Sequence, residues 1–253
     1  MARISRVRRP TVERRLRRIG RICKEFHEST LHKAKLGGGI KGIFQMDELE
    51  TYEGDRRLSP VTFPVLIERK SYFVVHGEAA PMAARGNLTA QYRARLDGRN
   101  ARDGVRRSGS RNAVQNTFRK LMDVHNPHRG VHLQTDMKKT YGNDLRDVAG
   151  EHPIWHTVTS SKIRRNYRNL LFPINHTFAM MRDCISRLVR RTWAASKRRQ
   201  MLDVHFWVWV AYRNYVRGIT VQTKTTPAQA LGVIGKALKN SELLKWRWPR
   251  LGC

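Results

Sequence analysis

Gly42-Ile43-Phe44-Gln45-Met46-Asp47-Glu48-Leu49 and Val131-His132-Leu133-Gln134-Thr135-Asp136 decide the reading of this chain, because each is a short β-compatible run that ends near an aspartate. Strand residues alternate between faces with a period of two, so each run delivers one carboxylate at a defined level of a sheet. Two such strands side by side could hold a divalent cation against a phosphate. Phosphoryl transfer uses that arrangement: two metal ions about 3.5–4 Å apart stabilise both the attacking and the leaving oxygen.

Around these runs the chain is very basic. Its 253 residues carry 50 Lys and Arg against 20 Asp and Glu, a formal charge of +30, with a pI near 11.3. Such a chain repels itself unless a polyanion neutralises it, so nucleic acid is the expected partner and an anionic membrane the weaker alternative. The longest apolar run, residues 206–212, is far short of the ~20 residues that span a bilayer. Arg3, Arg6, Arg8 and Arg9 have no apolar segment behind them, so the N-terminus does not read as a secretory signal, and a cytoplasmic, nucleoid-associated protein is expected. Cys23, Cys184 and Cys253 are widely spaced, which argues against a disulfide framework and a zinc ribbon.

Residues 1–36 hold nine Arg and three Lys against three Glu. Val12, Leu16, Ile19, Cys23 and Phe26 recur at three- and four-residue steps, which predicts a helix with one apolar face and one arginine face. Gly37-Gly38-Gly39 ends it. Segments 42–52, 60–68 and 71–76 read as antiparallel strands joined by short polar turns. Residues 83–112 carry many Arg, Gly, Asn and Ser with almost no apolar period, and read as a mobile basic loop. A helix at 111–124, the second Asp strand at 131–135, a helix at 137–148, a strand at 154–158 and two long helices at 174–194 and 197–217 complete the pattern. This alternation predicts a mixed α/β sheet flanked by helices. The aromatics of the last helix read as core, and residues 221–253 as a basic tail.

The residues then become familiar. Phe44-Gln45-Met46-Asp47-Glu48-Leu49-Glu50, Gln134-Thr135-Asp136, and Ile174-Asn175-His176 leading into Arg182, Arg187-Leu188-Val189-Arg190-Arg191 and Ser196-Lys197 resemble the transposases of the insertion-sequence-one type, across residues 40–220. The resemblance implies a ribonuclease H-like catalytic domain with an Asp-Asp-Glu triad that binds Mg²⁺, or Mn²⁺ in its place. Strand cleavage at the element ends, strand transfer to target DNA and a homo-oligomer on DNA are implied with it. Asp47 and Asp136 match the first two triad positions. The third departs from the pattern, because Asn175 stands where Glu is expected. An amide oxygen can ligate Mg²⁺ but brings no charge. Either the chain works with Asp-Asp-Asn, or it is a catalytically impaired DNA-binding remnant.

Arg182, seven residues after Asn175, falls on nearly the same helical face and matches a phosphate-gripping residue of the family. Lys138, Lys139, Lys162, Arg164, Arg165, Arg190, Arg191 and Lys197 are candidate DNA-backbone contacts, which position a duplex without reading its sequence. Glu48 and Glu50 are expected to point away from Asp47. His125, His128 and His132 read as a polar loop, not a zinc site. No glycine-rich phosphate loop follows a strand, so no nucleotide cofactor is implied.

Overall fold

A computed structural model describes residues 7–160, 162–164, 166–188 and 198–246. The chain opens with helix α1 (Arg9–Leu36) and runs into strands β1 (Ile43–Tyr52), β2 (Pro60–Glu68), β3 (Val74–Gly77) and the two-residue β4 (Ala80–Pro81). Helices α2 (Ala90–Asp103) and α3 (Ser110–Val124) precede β5 (Val131–Asp136), α4 (Tyr141–Ala149) and β6 (Ile154–Thr159). After them come α5 (Phe172–Cys184), a 3-10 turn (Ser186–Leu188), α6 (Arg199–Tyr215) and the short α7 (Pro227–Ala230) and α8 (Asn240–Lys245).

The sheet order is β3-β2-β1-β5-β6, with β4 against β2. The first three strands form an antiparallel meander, whereas β5 joins β1 and β6 joins β5 in parallel. Parallel neighbours need a crossover, and α2–α3 and α4 provide the two. Alternation then sorts the side chains of β1. Phe44, Met46 and Glu48 face α3 and α4, while Ile43, Gln45, Asp47 and Leu49 face the layer of α1, α5 and α6. This is the expected mixed α/β sheet flanked by helices.

Both faces are packed. Phe118, Leu121 and Tyr141 close one, and Leu31, Ile174, Phe178, Phe206, Trp209 and Tyr215 the other. Helix α1 lies so close to α6 that a Cβ at Gly20 would stand 2.8 Å from Val204, so only glycine permits that approach. Its apolar face meets the core through Cys23 and Leu31, while Arg14, Arg17, Arg18 and Arg21 stay exposed. Within this core His27 bonds the Tyr215 hydroxyl and the Val75 carbonyl at 2.8 and 2.9 Å, satisfying a buried ring.

Three expectations need correction. Residues 83–112 are not a structureless loop, since α2 occupies 90–103 and α3 starts at 110. Thr89 caps α2, Arg95 pairs with Asp55, Arg99 bonds Ser59 and the Leu58 carbonyl, and Tyr92 lies between Arg57 and Arg95. The helix is held by polar and cation–π contacts and buries no residue, so it leaves no apolar period in the sequence. The helix expected at 174–194 ends at Cys184, where Ile185 turns extended and both Ile185 and Leu188 drop into the core. Residues 221–246 are not a detached tail: Ala228 and Leu243 are buried, and Trp246 meets Phe26 edge-on at 5.6 Å.

Asp203, near the start of α6, accepts a hydrogen bond from the Ala79 backbone N–H at 2.9 Å. Burial pushes its pKa up to about 7. Between an unfolded value of about 3.9 and this folded value, the native state holds a proton that the unfolded chain has lost, so stability falls as pH rises through that window. Asp203→Asn is expected to gain stability over the parent at pH 8, at most about 4 kcal/mol at 1.36 kcal/mol per pKa unit, and nothing at pH 4. Urea midpoints at the two pH values check this; equal midpoint shifts at both would contradict it.

Candidate active site

Gln45 and Gln134 are Cα partners in the parallel β1–β5 ladder. The β1–β5 ladder ends at this pair, and two residues further along each strand, on the same face as the glutamines, stand Asp47 and Asp136. Buried polar bonds fix this alignment. The Gln45 amide donates to Gln134 Oε1 at 2.8 Å and to the Leu170 carbonyl, and its Oε1 accepts from the Ile174 N–H at 3.1 Å. The same glutamine therefore ties the first turn of α5 to β1. Asn175 is the next residue, so the helix delivers its amide beside the carboxylates.

Asp47, Asp136, Asn175, Arg182 and Lys138 all line one cavity of about 410 Å³ at the carboxyl end of β5, beside the middle of β1. Asn175 Nδ2 donates to the Leu171 carbonyl of its own helix at 2.9 Å, which leaves Oδ1 as the atom for a cation. Asp136 Oδ1 accepts the Lys138 backbone N–H at 3.1 Å, bending the chain so that the lysine returns over the cavity. Lys139, Lys162 and Arg164 are exposed and do not line it, although Ser160 and Ile163 from the loop carrying Lys162 and Arg164 do. Arg165, Arg190, Arg191 and Lys197 lie outside the described residues.

Glu48 projects from the opposite face to Asp47, as the period of two demands, yet it borders the same cavity. It accepts from Thr62 Oγ1 at 2.8 Å, Ser110 Oγ at 3.1 Å and the Tyr141 hydroxyl at 2.9 Å, and forms an ion pair with Lys138. Tyr141 is buried beneath it, with Lys138 5.1 Å above its ring. Burial first, then the charges of Glu48, Asp47 and Asp136, push the Tyr141 phenol far above its usual range. Three carboxylates thus act on one hydroxyl, which marks a strongly negative locus in a positive chain. Glu50, which also borders the cavity, takes a two-pronged ion pair from Arg85. Sequence reasoning missed the Glu48–Lys138–Tyr141 group, because its members come from separate parts of the chain.

The donor set suits a hard cation. Two carboxylates and an amide oxygen offer no nitrogen or sulfur, as Mg²⁺ and Mn²⁺ prefer. Among the described residues no group of three or more His, Cys, Asp and Glu side chains is disposed to hold a metal ion. Also among the described residues, no helix is long and apolar enough to cross a membrane.

No protein-family model matches the sequence, and no curated protein matches it. Among solved structures, the catalytic domain of the Mos1 mariner transposase aligns with 79% of this chain and 92% of its own, at 14% identity and a TM-score of 0.27. The Mos1 catalytic domain with raltegravir and Mg aligns with 79% of this chain and 93% of its own, at 14% identity and a TM-score of 0.26. Likeness that loose carries no conclusion about activity.

Proposed function

We propose that the chain is a DNA transposase, cleaving and joining double-stranded DNA at the ends of an insertion sequence with the help of divalent metal ions. The observation that carries this reading is the lining of one cavity by Asp47, Asp136, Asn175 and Arg182, on a chain of charge +30. Asp47, Asp136 and Asn175 Oδ1 would hold Mg²⁺ or Mn²⁺. Bound there, the metal would supply Lewis-acid stabilisation of charge on the attacking and leaving oxygens. Arg182 would orient the scissile phosphate, and Lys138, pinned by Glu48, would approach the same anion from the other face. Lys139, Lys162, Arg164, Arg165, Arg190, Arg191 and Lys197 would track the flanking backbone. Joining two ends requires at least two active sites, so a homo-oligomer on DNA follows from the chemistry.

A second reading has its own observation. Asn175 removes one negative charge from the metal shell, which suits a DNA-binding remnant that no longer cuts. Plasmid nicking in Mg²⁺ and in EDTA, on DNA carrying the element's ends, separates the two. The transposase reading expects nicking by the parent chain in Mg²⁺ alone. Asn175→Glu is then expected to lower the half-saturating Mg²⁺ concentration by about tenfold, equivalent to about 1.4 kcal/mol of metal affinity. An unchanged Mg²⁺ requirement would remove Asn175 from the metal shell. An inert parent revived by Asn175→Glu would establish the remnant.

A further inference from the structure

At the other end of β1 and β5 lies a second cavity, of about 560 Å³, lined among others by Lys41, Ile43, His128, Arg129, His132 and Trp155. Ile43 and Asp47 are four residues apart on β1, so this cavity starts about 13 Å along the strand from the carboxylates. Trp155 on edge strand β6 is 54% exposed. Its ring is nonetheless held in place. It stacks on His132 with centroids 4.5 Å apart and planes 17° from parallel. It also covers Gly130, where a Cβ would lie 1.9 Å from the ring, so the glycine is required for that fit.

The charge around the ring is one-sided. No Asp or Glu lines the cavity, and neither Lys41 nor Arg129, both exposed, forms an ion pair among the described residues. A fixed, exposed aromatic face with cations beside it and apolar walls at Ile40, Ile43 and Phe44 matches a base and its phosphate. We propose that this cavity binds an unpaired nucleotide of a single-stranded nucleic acid, with the base stacked on Trp155 and the phosphate held by Lys41 and Arg129. A stacked base in a duplex presents no free face to such a ring, so the site discriminates single strands from double strands.

Fluorescence anisotropy tests this with dye-labelled oligo(dT), oligo(rU) and a duplex of equal length, all in EDTA. Trp155→Ala is expected to weaken single-strand binding by about tenfold, within the range for one base–aromatic stack, and duplex binding by less than about twofold. Loss on oligo(dT), oligo(rU) or both supports the site and names the strand it serves. No loss on either, or an equal loss on the duplex, overturns it. Photocrosslinking the unaltered protein to an oligonucleotide containing 5-iododeoxyuridine is independent of any folding defect. An adduct within residues 128–132 or at Trp155 is expected, and adducts confined to other residues overturn the proposal. This proposal uses a cavity apart from the carboxylates and its test is read in EDTA without catalysis, so failure here and failure of the transposase reading are visible separately.

Discussion

Replacing Asp136 with alanine is expected to abolish Mg²⁺-dependent nicking, a fall of at least about a thousandfold, or about 4 kcal/mol of transition-state stabilisation. Duplex binding in EDTA is expected to stay within about twofold, because the lost group repels phosphate in the absence of metal. The fold should tolerate the change. Asp136 is half-buried at the end of β5, and its carboxylate accepts one backbone N–H, from Lys138. The β5 ladder is held by backbone bonds to β1 and β6 that do not involve its side chain. A variant that nicks at more than a tenth of the parent rate would show that Asp136 holds no essential metal, and its place beside Asp47 in one cavity would lose its chemical meaning.

Glu48→Ala is expected to cost about 3 kcal/mol of stability, because it removes a largely buried carboxylate that accepts several hydrogen bonds and leaves a buried hydroxyl unpaired. At about 2–4 °C per kcal/mol for a chain of this size, the melting temperature falls by about 6–12 °C. The Glu48 side chain is 10% exposed and accepts from Thr62, Ser110, Tyr141 and Lys138. Its removal strands the Tyr141 hydroxyl in the interior and leaves the Lys138 ammonium without its partner. Glu48→Gln keeps the shape but not the charge, and should fall between the parent and Glu48→Ala. Thermal unfolding of the three proteins checks the order. A drop under about 2 °C for Glu48→Ala would mean that water replaces the carboxylate, and that Lys138 is not held over the cavity by it.

How much of this was legible in the sequence depended on apolar period. Strands β1, β2, β5 and β6 announced themselves through β-branched and aromatic runs, and their positions agree with those expected to within a few residues. Helix α1 was visible because Leu16, Ile19, Cys23 and Phe26 share a face. Helix α2 was invisible for the opposite reason: arginines to turn residues, carbonyls and Asp55 anchor it, and a helix held by its charged side chains has no hydrophobic stripe. The break after Cys184 was hidden because Ile185 and Leu188 keep a helical spacing while the backbone between them does not.

The site divides along the same line. The order of Asp47, Asp136 and Asn175 could be compared with a family pattern, but their convergence depends on the β1–β5 register, which Gln45 and Gln134 set through buried amides that no periodicity reveals. Glu48 was correctly turned to the far face. That it still borders the cavity follows from the shortness of β5, which ends at Asp136 beside the middle of β1, so that Lys138 and Tyr141 rise from the next element onto Glu48. Of the candidate backbone contacts near the site, Lys138 lines the cavity, whereas Lys139, Lys162 and Arg164 stand exposed outside it.

The most direct measurement is the position of Mn²⁺ by anomalous scattering in crystals of this protein with a short duplex. The account predicts a peak bound by carboxylate oxygens of both Asp47 and Asp136, with the Asn175 amide oxygen facing it. A peak held by other residues, or none at saturating Mn²⁺ with both aspartates ordered, would contradict a metal-dependent phosphoryl-transfer site.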